Sequence, residues 1–126
     1  MYILKVEDSF SAAHKLIDYK GNCSQVHGHN WKVSISIVCY KTSKIGLTID
    51  FKDIKKIFGR IIDQFDHVFL NNLPHFSNKN PTSENIAKVI YQLSSSEFKD
   101  DNTKVQEIAV KESDKYTAVY RPDENN

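Results

Sequence analysis

Trp31, Val33, Ile35, Ile37 and Cys39 alternate with Lys32, Ser34, Ser36, Val38 and Tyr40, and a period of two sustained this long marks a β-strand that buries one face. Such a strand needs partners along its edges and a layer over its apolar side. The first partner is at the N-terminus. Tyr2, Leu4 and Val6 alternate with Ile3, Lys5 and Glu7, and Phe10, Ala12 and His14 continue the period. The covering layer follows Asp50, a candidate N-cap, because Ile54, Ile57, Phe58, Ile61, Ile62 and Phe65 recur at spacings of three and four and trace one helical stripe ending near Phe65. Pro81, Thr82, Ser83 and Glu84 start a second helix, with Thr82 or Ser83 as cap and Ile86, Val89, Ile90 and Leu93 as its core stripe. Val105 to Glu112 and Tyr116 to Arg121 are β-rich runs joined by a hairpin at Ser113, Asp114 and Lys115. The order ββααββ predicts an α+β fold, an antiparallel four-stranded sheet with two helices on one face. Its edge strands are open to pairing with other copies, and Val38 and Tyr40 predict that part of the uncovered face meets a partner.

With 126 residues, the chain is expected to form a single domain, residues 1–126. Seventeen Lys and Arg against sixteen Asp and Glu leave a net charge of +1, without the broad field of most nucleic-acid and membrane-surface binders. Lys5, Glu7 and Asp8 interrupt the N-terminal apolar residues, and no stretch has the length of a membrane span. A cytoplasmic protein with two reduced cysteines is expected, binding neither nucleic acid nor membrane.

Five histidines are more than this composition needs for packing. His27 and His29 are two residues apart, so in extended chain both imidazoles point the same way. His14, at the end of the first strand, supplies a third if the strands pair. Three histidines on a zinc ion leave a fourth position open for chemistry. Cys23, four residues before His27, has three readings: a fourth ligand that closes the site, a buried thiol, or a base whose thiolate the metal's charge favours. The base is preferred. Cys39 reads as a small core residue. Asp66 and His67 form an acid–base pair only if the backbone after Phe65 is irregular, since neighbours on a regular helix do not face each other. Otherwise His67 is a helix-terminal histidine on the C-terminal dipole. Glu112 continues the face of Ile108 and Val110, either as a strand-end charge paired to Lys111 or Lys115, or as an acceptor for a planar N–H pair on a ligand.

Phe10-Ser11-Ala12-Ala13-His14, Cys23-Ser24-Gln25-Val26-His27-Gly28-His29, Ile49-Asp50-Phe51, Asp66-His67 with Leu70-Asn71, Asn80-Pro81-Thr82-Ser83-Glu84 and Val110-Lys111-Glu112 together resemble the 6-pyruvoyl tetrahydropterin synthase superfamily. The gap between Cys23 and His27 is similar to that of its bacterial 6-carboxy-5,6,7,8-tetrahydropterin synthase branch. The resemblance implies the tunnelling fold, with subunits forming a trimer or a dimer of trimers (a homohexamer) and sites at their interfaces. It implies one Zn2+ per subunit on His14, His27 and His29, Cys23 as proton acceptor, Asp66 and His67 as relay, and Glu112 as pterin anchor. Thr82, Ser83 and Glu84 are implied to line the pterin pocket, although helix capping explains them equally well. The implied activity is a lyase reaction on 7,8-dihydroneopterin triphosphate giving 6-carboxy-5,6,7,8-tetrahydropterin, acetaldehyde and triphosphate, for queuosine and 7-deazaguanine synthesis. The alternatives are a 6-pyruvoyl tetrahydropterin synthase and a non-catalytic zinc- or pterin-binding module.

Overall fold

A computed structural model describes residues 1–18 and 25–123. Strands β1 (Tyr2–His14) and β2 (His27–Cys39) are followed by helix α1 (Phe51–Asp63), 3-10 turns at Leu70–Asn72 and Pro74–Phe76, helix α2 (Ser83–Ser95), and strands β3 (Thr103–Ser113) and β4 (Tyr116–Tyr120). The sheet is antiparallel in the order β1-β2-β3-β4. Helix α1 packs on β1, and α2 packs on β3 and β4. None of the described helices is long and apolar enough to cross a membrane.

The expected order and the placement of both helices hold. Asp50 caps α1 by accepting from the Lys52 N–H, and the Thr82 hydroxyl accepts from the Asn85 N–H to cap α2. The alternating residues Trp31, Val33, Ile35, Ile37 and Cys39 are buried with the α1 residues Ile54, Phe58, Ile61 and Ile62 and the α2 residues Ile86, Val89 and Ile90. Each such apolar side chain contributes roughly 1.5–3 kcal/mol by leaving water. Cys39 is a fully buried free thiol of this core.

Two boundaries differ from expectation in ways that matter to the site. Strand β2 starts at His27 rather than Trp31, because pairing with β1 carries the ladder through Ala12–His29 to His14–His27. Helix α1 ends at Asp63, two residues before Phe65. Phe65 stays in the core while the chain tightens, its N–H reaching back to the Ile62 carbonyl at 2.9 Å.

The uncovered face needs less help than Val38 and Tyr40 predict. Val38 is buried within its own chain, and only Tyr40 of the two is exposed. The outer edge of β1 is also partly occupied. His67 donates its backbone N–H to the Ser11 carbonyl at 2.7 Å, Ala13 donates to Val68 at 3.3 Å, and Ala13 forms an isolated parallel bridge with Phe69. Among the described residues, no strand pairs with the rest of that edge or with the outer edge of β4.

Candidate metal centre

The register of β1 and β2 puts His14 opposite His27 and Ala12 opposite His29, so all three imidazoles rise from the helix-covered face at one end of the sheet. Trp31 forms the floor. It is fully buried, donates its indole N–H to the Ala12 carbonyl at 3.1 Å, and meets His14 and His29 edge-on at centroid distances of 4.9 and 5.2 Å. Glu112 joins from β3. It continues the face of Ile108 and Val110, and the regular pairing of Val110 with Val33 and of Lys111 with Lys32 carries it to the histidine end of the sheet. One ligand atom from each of His14, His27, His29 and Glu112 lies within 4.8 Å of the other three.

The backbone fixes two of the tautomers. His14 Nδ1 is 2.8 Å from the Pro81 carbonyl, and His27 Nδ1 is 2.8 Å from the Gln25 carbonyl. A carbonyl only accepts, so each Nδ1 carries the proton and each Nε2 presents a lone pair. Those two Nε2 atoms face each other at 3.1 Å, an arrangement that the two lone pairs satisfy by sharing either a proton or a metal ion. Glu112 Oε1 comes within 2.9 Å of His29 Nε2, but off the axis of a hydrogen bond, leaving that buried nitrogen without a partner. Oε1 is 3.7 Å from His14 Nε2 and 4.0 Å from His27 Nε2. Burial lowers the pKa of both His14 and His29 below the usual histidine value, opposed at His14 by the hydrogen bond to Pro81 and the Glu112 charge, and at His29 by Glu112. Neutral imidazoles with converging lone pairs and one carboxylate are the donor set of a divalent metal site. The residues fit such an ion.

Asp66 and His67 form a separate group. Just past α1 the backbone of His67 turns left-handed, with φ of 56°, a region histidine enters more readily than most side chains. That turn brings His67 Nδ1 to 2.9 Å from Asp66 Oδ2, while Asp66 Oδ1 accepts from the Ser11 N–H at 2.8 Å. The Ser11 hydrogen bond, followed by the one from His67, holds the Asp66 carboxyl below its ordinary pKa. The irregular backbone, not the helix dipole, therefore explains His67. Its side chain is 82% exposed and opens onto a hollow lined by residues 11–13 of β1, residues 28–30 of β2, Val68 and Phe69. The side chains of Ser11, Ala13 and Asn30 alternate with those of His14 and His29 along their strands and so face the opposite side of the sheet, while Ala12 and His29 also border the hollow.

Thr82 caps α2, Ser83 is half-buried and Glu84 is exposed on its first turn. Cys23 lies outside the described residues. Sequence reasoning missed the Pro81 carbonyl that orients His14 and the Trp31 floor. Only the Asn80-Pro81 motif and the odd Trp in an aliphatic strand signalled them.

A four-stranded antiparallel sheet with two helices on one face, and three histidines and a glutamate converging at one end of it, define an α+β chain with a candidate metal site. Residues 3–123 match the family model described as 6-pyruvoyl tetrahydropterin synthase, and the chain belongs to that family. A putative 6-carboxy-5,6,7,8-tetrahydropterin synthase of Archaeoglobus fulgidus is 37% identical over 120 residues, covering 94% of this chain and 96% of that protein. The Bacillus subtilis 6-carboxy-5,6,7,8-tetrahydropterin synthase is 33% identical over 120 residues, covering 89% of this chain and 80% of its own. The solved 6-pyruvoyl tetrahydropterin synthase of Caenorhabditis elegans superposes with a TM-score of 0.82 at 26% identity, covering 98% of each chain.

Proposed function

We propose that this chain is an enzyme converting 7,8-dihydroneopterin triphosphate and water to 6-carboxy-5,6,7,8-tetrahydropterin, acetaldehyde and triphosphate, in the synthesis of 7-deazaguanines such as queuosine. The observation that carries the reading is the convergence of the His14, His27 and His29 Nε2 atoms in a chain whose relatives at 33–37% identity bear the 6-carboxy name. Those three imidazoles would hold one zinc ion per subunit, with Pro81 and Gln25 fixing the rings of His14 and His27 from behind. Bound there, zinc supplies Lewis acidity that polarises side-chain oxygens of the substrate and makes the neighbouring C–H more acidic.

The chain's own groups then move protons. Cys23, as thiolate, takes the proton from the activated carbon. His67 carries protons on Nε2 during triphosphate loss, tautomerisation and carbon–carbon cleavage, its ring held through Nδ1 by Asp66. Glu112 accepts the paired N–H groups of the pterin ring as the incoming substrate draws its carboxylate off the histidines. Thr82, Ser83 and Glu84, at the start of α2, line the ring pocket beside it. The exposure of His67 on the outer edge of β1, apart from the group of His14, His27, His29 and Glu112, supports a homo-oligomer, a trimer or two stacked trimers, in which a neighbouring subunit brings its own dyad to each metal.

Incubation of purified, zinc-loaded protein with 7,8-dihydroneopterin triphosphate tests the reading by mass spectrometry of the products. The 6-carboxy product with acetaldehyde supports it. The likeness to the Caenorhabditis elegans protein favours a second outcome, a 6-pyruvoyl product without acetaldehyde. No turnover at all would leave a binding module.

A further inference from the structure

Where the chain leaves β1, two asparagines grip its backbone. Asn71 Oδ1 accepts from the Lys15 N–H and Asn71 Nδ2 donates to the Lys15 carbonyl, both at 2.9 Å. Asn80 does the same to Ile17, with both contacts at 2.8 Å. The backbone partners settle which end of each amide is oxygen. Asn80 is anchored in turn, since its own carbonyl accepts from Asn85 Nδ2 at 2.8 Å in the first turn of α2. The next residue, Pro81, offers the carbonyl that orients the His14 ring. A closed circuit results: from the His14 backbone to Ile17, through the Asn80 amide to Pro81, and back to His14 Nδ1.

We propose that Asn80, supported by Asn71, is a positioning residue for the metal. It makes no hydrogen bond to any of the three histidines; its partners are Ile17 and Asn85. It fixes the separation between the His14 backbone and the Pro81 carbonyl, so that His14 Nε2 points its lone pair at His27 and His29 before an ion arrives. Without the grip, His14 must lose rotational freedom on ligation, and that loss weakens binding. The inference rests on the reading that His14, His27 and His29 hold the ion.

A plain loop fastener would look the same locally, and the molecule contains one as a control. Asn102 Oδ1 accepts from the Lys41 N–H and Asn102 Nδ2 donates to the Lys41 carbonyl, both at 2.8 Å. This grip lies beyond Cys39, at the other end of β2 from His27, about 40 Å away at the usual rise of a strand. Truncating either asparagine removes the same two exposed hydrogen bonds, but only one of them lies in a circuit with His14.

The test compares Asn80→Ala, Asn102→Ala and wild-type full-length protein, measuring zinc Kd by competition with a chromophoric chelator and thermal stability of the metal-free forms. Both variants should lose a similar few degrees of stability. Zinc Kd should rise about tenfold to a hundredfold in Asn80→Ala and stay within about twofold of wild type in Asn102→Ala. Equal Kd values in all three, or equal weakening in both variants, overturn the inference. Should Asn80→Ala not fold, Asn80→Asp keeps the acceptor for the Ile17 N–H and loses the donor to its carbonyl. A Kd raised severalfold there supports the inference, and an unchanged one overturns it. Wild-type protein without zinc affinity overturns the metal reading itself, and this inference with it.

Discussion

Replacing His27 by alanine separates the cost of a lost side chain from the loss of a ligand. The ring is 29% exposed and makes a hydrogen bond to the Gln25 carbonyl at an exposed position. Truncation should therefore cost the metal-free fold no more than about 1 kcal/mol. Part of even that is offset, because the variant no longer opposes two lone pairs at 3.1 Å. The metal term is larger. A ligand at a hundred times its Kd stabilises the state it binds by about 2.7 kcal/mol. For a chain of 126 residues the entropy of unfolding converts 1 kcal/mol to about 4 °C, so zinc at that excess should raise the wild-type melting temperature by about 10 °C. Differential scanning calorimetry before and after adding zinc to chelator-treated protein reads both effects. His27→Ala should melt within about 4 °C of the metal-free wild type and gain less than about 2 °C from zinc, since two imidazoles do not complete the site. A full 10 °C gain in the variant would refute the ligand assignment, whatever its activity.

Ser94 is buried in α2 with no partner for its hydroxyl, so Ser94→Ala should stabilise the chain by about 1 kcal/mol, and a lowered denaturation midpoint would contradict this. Burial lowers the pKa of His14 and His29, so below the ordinary histidine pKa of about 6.5 the unfolded chain binds protons more readily than the folded one. Metal-free protein should therefore keep its full stability above that pH and lose it as the pH falls, and urea unfolding showing greater stability at pH 5.5 than at 7.5 would reverse the sign. Asp66→Asn still offers Ser11 an acceptor but turns an amide toward His67 Nδ1, so kcat should fall about a hundredfold or more with little change in zinc affinity. Wild-type turnover in that variant removes the dyad from the mechanism.

Much of the fold is legible because its signals are periodic. The alternation from Trp31 to Cys39 and the stripes from Ile54 and Ile86 each lie in one stretch of chain, and the caps at Asp50 and Thr82 act on residues two and three positions on. The metal group is half legible. His27 and His29 share a face by strand geometry alone, whereas His14 joins them only through the register of β1 against β2. Glu112 shares their face by the alternation that runs through Ile108 and Val110, but it lies beside them only through the register of β3 against β2. Neither register is written in local spacing. The Asp66–His67 contact depends on a left-handed residue at 67, a backbone choice imposed by the edge of β1 and not by its neighbours in sequence. The grips of Asn71 and Asn80 span more than fifty positions, and such long-range amide contacts leave no periodic trace.

The most direct test of the account is one sample measured twice. Purified protein, assayed for bound metal and then given 7,8-dihydroneopterin triphosphate, should carry close to one zinc per chain and yield 6-carboxy-5,6,7,8-tetrahydropterin and acetaldehyde in equal amounts. Zinc-loaded protein that leaves the substrate intact, or turns it over at an undiminished rate after His14, His27 and His29 are all replaced by alanine, would contradict it.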